Sequence, residues 1–183
     1  MKKIITLVAL CLVGTVIAQE RYLTKTGELQ FEASVPSFEE VKASNTSVTA
    51  ILNTENGEFA ALALVKGFRF KNALMEEHFN ENYAESDDYP KAIFKGNLMD
   101  FDFNQLNAKA QDINYEGTLE FHGESHKLSN NTLSISRSSD GKILLSGNFK
   151  VNVDEFNIEI PKVVSNKLSK TVDVTFSFEL AKK

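Results

Sequence analysis

The stretch LMEEHFNENYAESDDYPKAIFKG, residues 74–96, gathers the side chains of this chain best suited to chemistry: one of three histidines, six acidic residues and two tyrosines. On a helix, His78 and Glu81 stand three apart and share a face, a spacing that metal sites use. The remaining ligands are missing. No HExxH run occurs, and the other two histidines, His122 and His126, lie either side of Gly123 in what reads as a turn. Covalent catalysis has no better footing. Cys11 is the one cysteine, and no serine sits in a G-x-S-x-G elbow. No Gly-rich phosphate loop occurs. Carboxylates are plentiful, but hydrolysis by a carboxylate pair needs two of them held across a cleft, and the sequence singles out no pair. The expectation is a protein that is not an enzyme, with no cofactor and no metal.

The elements that would position these residues have a period of two. Leu29, Phe31, Ala33 and Val35 alternate with polar neighbours, as do Ile113, Tyr115, Gly117, Leu119 and Phe121. Ile143 to Val153 and Val172 to Leu180 form two further stripes. Each is the pattern of a half-buried antiparallel strand. Fainter strands are expected over 48–52, 59–65, 92–99 and 133–137. Asn-Gly at 56–57 and Asp-Gly at 140–141 are hairpin signals, and FHGESH at 121–126 is another tight connection. With no long amphipathic helix between strands, the pattern predicts an all-β meander, a sandwich or a closed barrel.

Residues 73–83 are the exception. Met75, Phe79 and Tyr83 repeat every four residues, which predicts a short amphipathic helix docked on one barrel end. Pro90 requires it to stop before Tyr89. Gly96, Gly117 and Gly147 fall in the apolar register of their strands, where glycine favours bending and would leave interior room. The stripes are rich in Phe, of which the chain has 14 against no Trp. Inward Phe residues fit a filled core as well as a lipid-lined cavity, since eight-strand barrels do either.

Residues 1–18 read as a secretory signal. Lys2 and Lys3 precede an uncharged apolar run from Ile4 to Ile17, and Val16 and Ala18 suit cleavage after Ala18. That run is shorter than the ~20 residues a membrane-spanning helix needs. Leu10 before Cys11 does not suit lipidation. The expectation is an exported protein, periplasmic or secreted, with residues 19–183 as one domain, no cysteine and no stable membrane insertion. Cleavage would take the formal charge from −5 to −7. Lys and Arg form no cluster, which excludes nucleic acid as a partner.

The run from Leu74 to Gly96 resembles the central segment of the YceI-like family of exported, polyisoprenoid-binding proteins, through Met75, His78, Phe79, Tyr83, Ser86, Tyr89, Pro90, Ala92, Phe94 and Gly96. YEGTLEFHGESHKL at 115–128 is similar to a second motif of that family, and VNVDEFNIEI at 151–160 to a third. The resemblance spans residues 22–181. It implies a lipocalin-like antiparallel β-barrel with a short helix between strands, and a long apolar cavity holding an isoprenoid chain, as of a quinone or polyprenol. Phe31, Phe94, Leu119, Phe121, Phe149, Phe176 and Phe178 are then the cavity candidates, and Met75, His78, Phe79 and Tyr83 the mouth candidates. The family's opening strand usually carries an Asp and a His-Ser pair. RYLTKTGELQFEA has neither, so those polar contacts to a ligand head are absent here. The alternative is a barrel or sandwich that serves as an interaction or envelope stress module without ligand.

Overall fold

A computed structural model describes residues 20–183; the expected signal segment lies outside them. Period-two alternation produces eight long strands: β1 (Arg21–Ser34), β2 (Lys42–Asn53), β3 (Glu58–Leu64), β5 (Lys91–Leu98), β6 (Gln111–Phe121), β7 (Glu124–Arg137), β8 (Ile143–Asn152) and β9 (Leu168–Lys182). A two-residue β4 (Arg69–Phe70) continues the line of β3 along β2. All pairings are antiparallel. They run β1-β9-β8-β7-β6-β5-β3-β2, and β2 returns to pair with β1, closing the barrel. Closure gives each of the eight long strands a partner on both sides over at least part of its length, so none is a free edge strand.

Local chemistry sets the connections. His122 (φ 50°) and Gly123 (φ 77°) link the paired residues Phe121 and Glu124, the two positive-φ positions of a type I′ hairpin. The Asn-Gly and Asp-Gly turns join β2 to β3 and β7 to β8 as expected.

Several strands run longer than expected, β2 among them at 42–53 against 48–52, and four further departures have a local cause. The β3 stripe ends at Leu64 rather than Val65, because the buried Asn45 amide donates to the Leu64 carbonyl (3.0 Å) and a 3-10 turn follows. β8 stops at Asn152, and Val153–Phe156 is a 3-10 turn closed by a capping box between Asn152 and Glu155. β7 extends far beyond 133–137. It carries a bulge, since the pairing steps from Tyr115–Asn131 to Gly117–Leu128 with Asn130 at φ 59°. A bulge inverts the side-chain faces and hides the strand from a period-two search. The predicted helix is α1 (Ala73–His78) followed by one wider π turn (Phe79–Tyr83), which is closed by Ala84 N–H donating to Phe79 O (2.8 Å). Asn72 caps its start, its side-chain oxygen accepting from Leu74 N–H (2.9 Å).

The barrel interior divides in two. At the end where β1 begins, Tyr22, Leu52, Leu98, Leu133, Ile135, Ile143, Leu145 and Leu180 are all buried and form a filled core. The connection from β5 to β6 closes this lower end, with Leu106 buried and the Phe103 ring 5.6 Å from Tyr22 and beneath the Arg137 guanidinium. The other end is built differently. β7 and β8 pair only from Leu133–Gly147 downward. Above that point they part, and residues 153–158 cover the gap.

Candidate apolar binding chamber

The upper half of the barrel encloses a chamber of about 460 Å³, within the ~300–1,000 Å³ range of small-molecule pockets. Its walls come from the inward faces of the strands. Phe31 stands on β1, Leu119 and Phe121 on β6, Phe149 on β8 and Val174 on β9. Phe31, Phe121 and Phe149 point inward yet stay half-buried, as side chains do where neighbours have not filled the space. Val153, Phe156, Ile158, Ile160 and Val164 wall the side where β7 and β8 part. The few polar lining residues include Glu39, His78 and Lys167, all exposed, so the chamber reaches the surface beside them.

Two segments are fastened over the chamber. The α1–π segment packs Phe79 against Phe31 (5.2 Å between centroids) and Phe70 (5.3 Å). Glu76 ties it to β4, accepting from the Arg69 guanidinium (2.9 Å) and from Phe70 N–H (3.1 Å). The acidic turn after it is held as well. Asp87 pairs with Lys66, and Val65 N–H donates to Pro90 O (3.0 Å). The second segment, residues 153–158, buries Phe156 against Phe121 (5.8 Å) and places its carbonyl 2.8 Å from His122 Nδ1, which donates to it. His122 Nε2 lies 3.0 Å from the Glu85 carboxylate and the ring packs on Tyr89 (4.6 Å). One histidine therefore joins the two coverings. Its hydrogen-bonding atoms are both taken, and its role here is a clasp. His126 faces Glu155 at 3.6 Å and flanks Phe156. Among the described residues, no three His, Cys, Asp or Glu side chains converge to hold a metal, and no helix is long and apolar enough to cross a membrane.

The floor of the chamber is a closed circuit of aromatic rings. Phe59, Phe94, Tyr115, Phe176 and Phe178 follow one another around the barrel with successive centroids 5.5 to 6.2 Å apart, and Phe178 returns to Phe59 at 6.0 Å. Three glycines expected to leave interior room are covered by these rings instead. Gly96 and Gly117 pair directly under Phe94, and Gly147 lies against Phe176. A second compartment of about 50 Å³ sits at this level. It shares Leu29, Ala92, Leu119 and Phe149 with the main chamber.

The structure places the expected residues in three groups. Phe31, Leu119, Phe121 and Phe149 line the main chamber, while Phe94, Phe176 and Phe178 belong to the floor and border only the lower compartment. Met75, His78, Phe79 and Tyr83 all line the upper chamber, with His78 exposed and partial burial raising the Tyr83 phenol pKa. The sequence search passed over Tyr115, the floor's one polar side chain, because its alternation reads as plain core. It also passed over Phe38, Phe68 and Phe70. The segment VNVDEFNIEI entered only as a family motif, and its Phe156, Ile158 and Ile160 line the chamber.

A closed eight-strand antiparallel barrel with an apolar chamber at one end defines a lipocalin-like class of protein. The chain belongs to the YceI-like domain family, whose model matches residues 22–180. Among solved structures, a polyisoprenoid binding domain from Saccharophagus degradans, implicated in plant cell wall breakdown, superposes with a TM-score of 0.77 at 16% identity, covering 90% of this chain and 99% of that one. Burkholderia cenocepacia BcnA gives 0.65 at 13% identity, covering 85% and 96%. The Campylobacter jejuni YceI protein gives 0.57 at 16%, covering 81% and 88%. At these identities the likeness concerns the fold. No curated protein sequence matches the chain.

Proposed function

We propose that this protein is an exported, non-enzymatic binder or carrier of an isoprenoid-type lipid, held in the upper half of the barrel. The observation that carries the reading is the 460 Å³ chamber, whose strand walls are apolar and whose polar groups are confined to the rim. Exposing an isoprenoid chain to water costs ~0.8 kcal/mol per methylene, and an apolar chamber removes that cost. The chamber residues Phe31, Leu119, Phe121 and Phe149 contact the chain, and Met75, His78, Phe79 and Tyr83 form the mouth. The family match and the polyisoprenoid binding domain among the structural neighbours support the choice of ligand class. The leader-like residues 1–18 support export to the periplasm or beyond.

The reading is tested with vesicles containing a radiolabelled polyprenol or quinone. After incubation and flotation, label is expected in the vesicle-free fraction with the protein, near one lipid per chain. Label that stays entirely with the vesicles, at protein concentrations into the micromolar range, contradicts it.

A further inference from the structure

The floor contains a polar group with nothing to bind. Tyr115 is 3% exposed, and its hydroxyl is buried without a hydrogen-bond partner among the described residues. The ring is held between Phe94 and Phe176, 5.8 and 6.2 Å away, so it is not placed to swing toward water. Of the twelve residues around the 50 Å³ compartment, Tyr115 alone carries a polar side-chain atom. Buried hydroxyls are ordinarily satisfied. A buried water needs two to four polar partners, and this compartment offers one. A carbonyl oxygen carried on an apolar chain needs only the one donor, because it brings no proton of its own and the rest of the molecule suits the aromatic walls.

Resting on the lipid-binding reading, we infer that Tyr115 receives the polar terminus of the lipid, which enters oxygen end first and presents a neutral acceptor without a proton of its own, a carbonyl oxygen, to the phenol hydroxyl. A phosphorylated terminus does not fit, since no Lys, Arg or His borders the compartment and an unpaired charge there is strongly disfavoured. Burial pushes the Tyr115 phenol up to about 12, which keeps it a donor at any physiological pH.

The test pairs geranylgeranylacetone, a ketone, with the tetraprenyl hydrocarbon lacking its carbonyl oxygen, and adds geranylgeranyl phosphate. Equilibrium dissociation constants are measured for the wild type and Tyr115→Phe. The wild type is expected to prefer the ketone over the hydrocarbon by about tenfold, the scale of one satisfied buried hydroxyl, and to bind the phosphate least. Tyr115→Phe is expected to abolish that preference by weakening the ketone alone. The empty variant should melt at or above the wild-type temperature, since it loses a hydroxyl that had no partner. Binding of ketone and hydrocarbon with equal affinity by the wild type, or equal effects of the substitution on both, overturns this inference while leaving lipid binding intact. A lower melting temperature for the empty variant also overturns it. Failure of the wild type to bind any of the three overturns the lipid reading and this one together.

Discussion

Phe94 and Gly117 occupy space that two side chains could not share. A methyl group on Gly117 would sit 2.5 Å from the ring's Cζ, and also 2.5 Å from the Lys95 carbonyl oxygen. The ring can turn away, but the carbonyl belongs to the β5–β6 ladder. Gly117→Ala should therefore destabilise the barrel by about 1–3 kcal/mol through overpacking. Adding Phe94→Ala should not restore it. At Gly147 the nearest atoms are side-chain atoms of Phe176 and Leu133, so Gly147→Ala should cost less. Urea midpoints of the three variants check the order.

The His122 clasp predicts a coupled loosening of both coverings. Its two ring nitrogens lie within hydrogen-bond distance of Phe156 O and the Glu85 carboxylate. His122→Asn keeps a residue that tolerates positive φ and removes the ring. It should cost about 1–3 kcal/mol. Amide exchange should speed up in residues 85–90 and 153–158 together, with the filled lower core unchanged. Exchange confined to one segment would contradict the clasp.

Filling the chamber should separate binding from folding. Ala92 lines both compartments and is only half-buried. Ala92→Phe places a ring in open volume, so the melting temperature should hold while lipid affinity falls tenfold or more. An equal loss of stability and affinity would mean that the space was already committed to packing.

Alkaline stability should report on Tyr115. Its folded pKa, about 12, is raised above the ordinary value of 10.0 by burial. The folded state thus holds the proton more tightly than the unfolded chain. The stability linked to this group is fully present below pH 10 and is lost as pH rises from 10 toward 12. Tyr115→Phe lacks that component. The variant's advantage over the wild type in denaturant should grow between these pH values.

The eight strands and their order were readable because alternation, Asn-Gly, Asp-Gly and His-Gly turns act locally. Inward and outward faces follow from the same period, which is why every expected Phe does point inside. Height along the barrel is not a local property. It depends on strand stagger and on bulges such as those at Gly27 and Asn130. Hence the alternation could not divide Phe31, Phe121 and Phe149 in the chamber from Phe94, Phe176 and Phe178 in the floor. Nor could it reveal Tyr115, whose lack of a partner is a relation between strands distant in sequence. The acidic stretch at 74–96 looked suited to chemistry, and its Glu76, Glu85 and Asp87 are instead spent on holding the mouth together.

The central claim, an apolar lipid inside the upper barrel, is tested most directly by native mass spectrometry of the protein purified without detergent from its own host. The account predicts a bound species of one defined lipid mass per chain, released on unfolding. A consistently bare protein that also takes up no added polyprenol or quinone would contradict it.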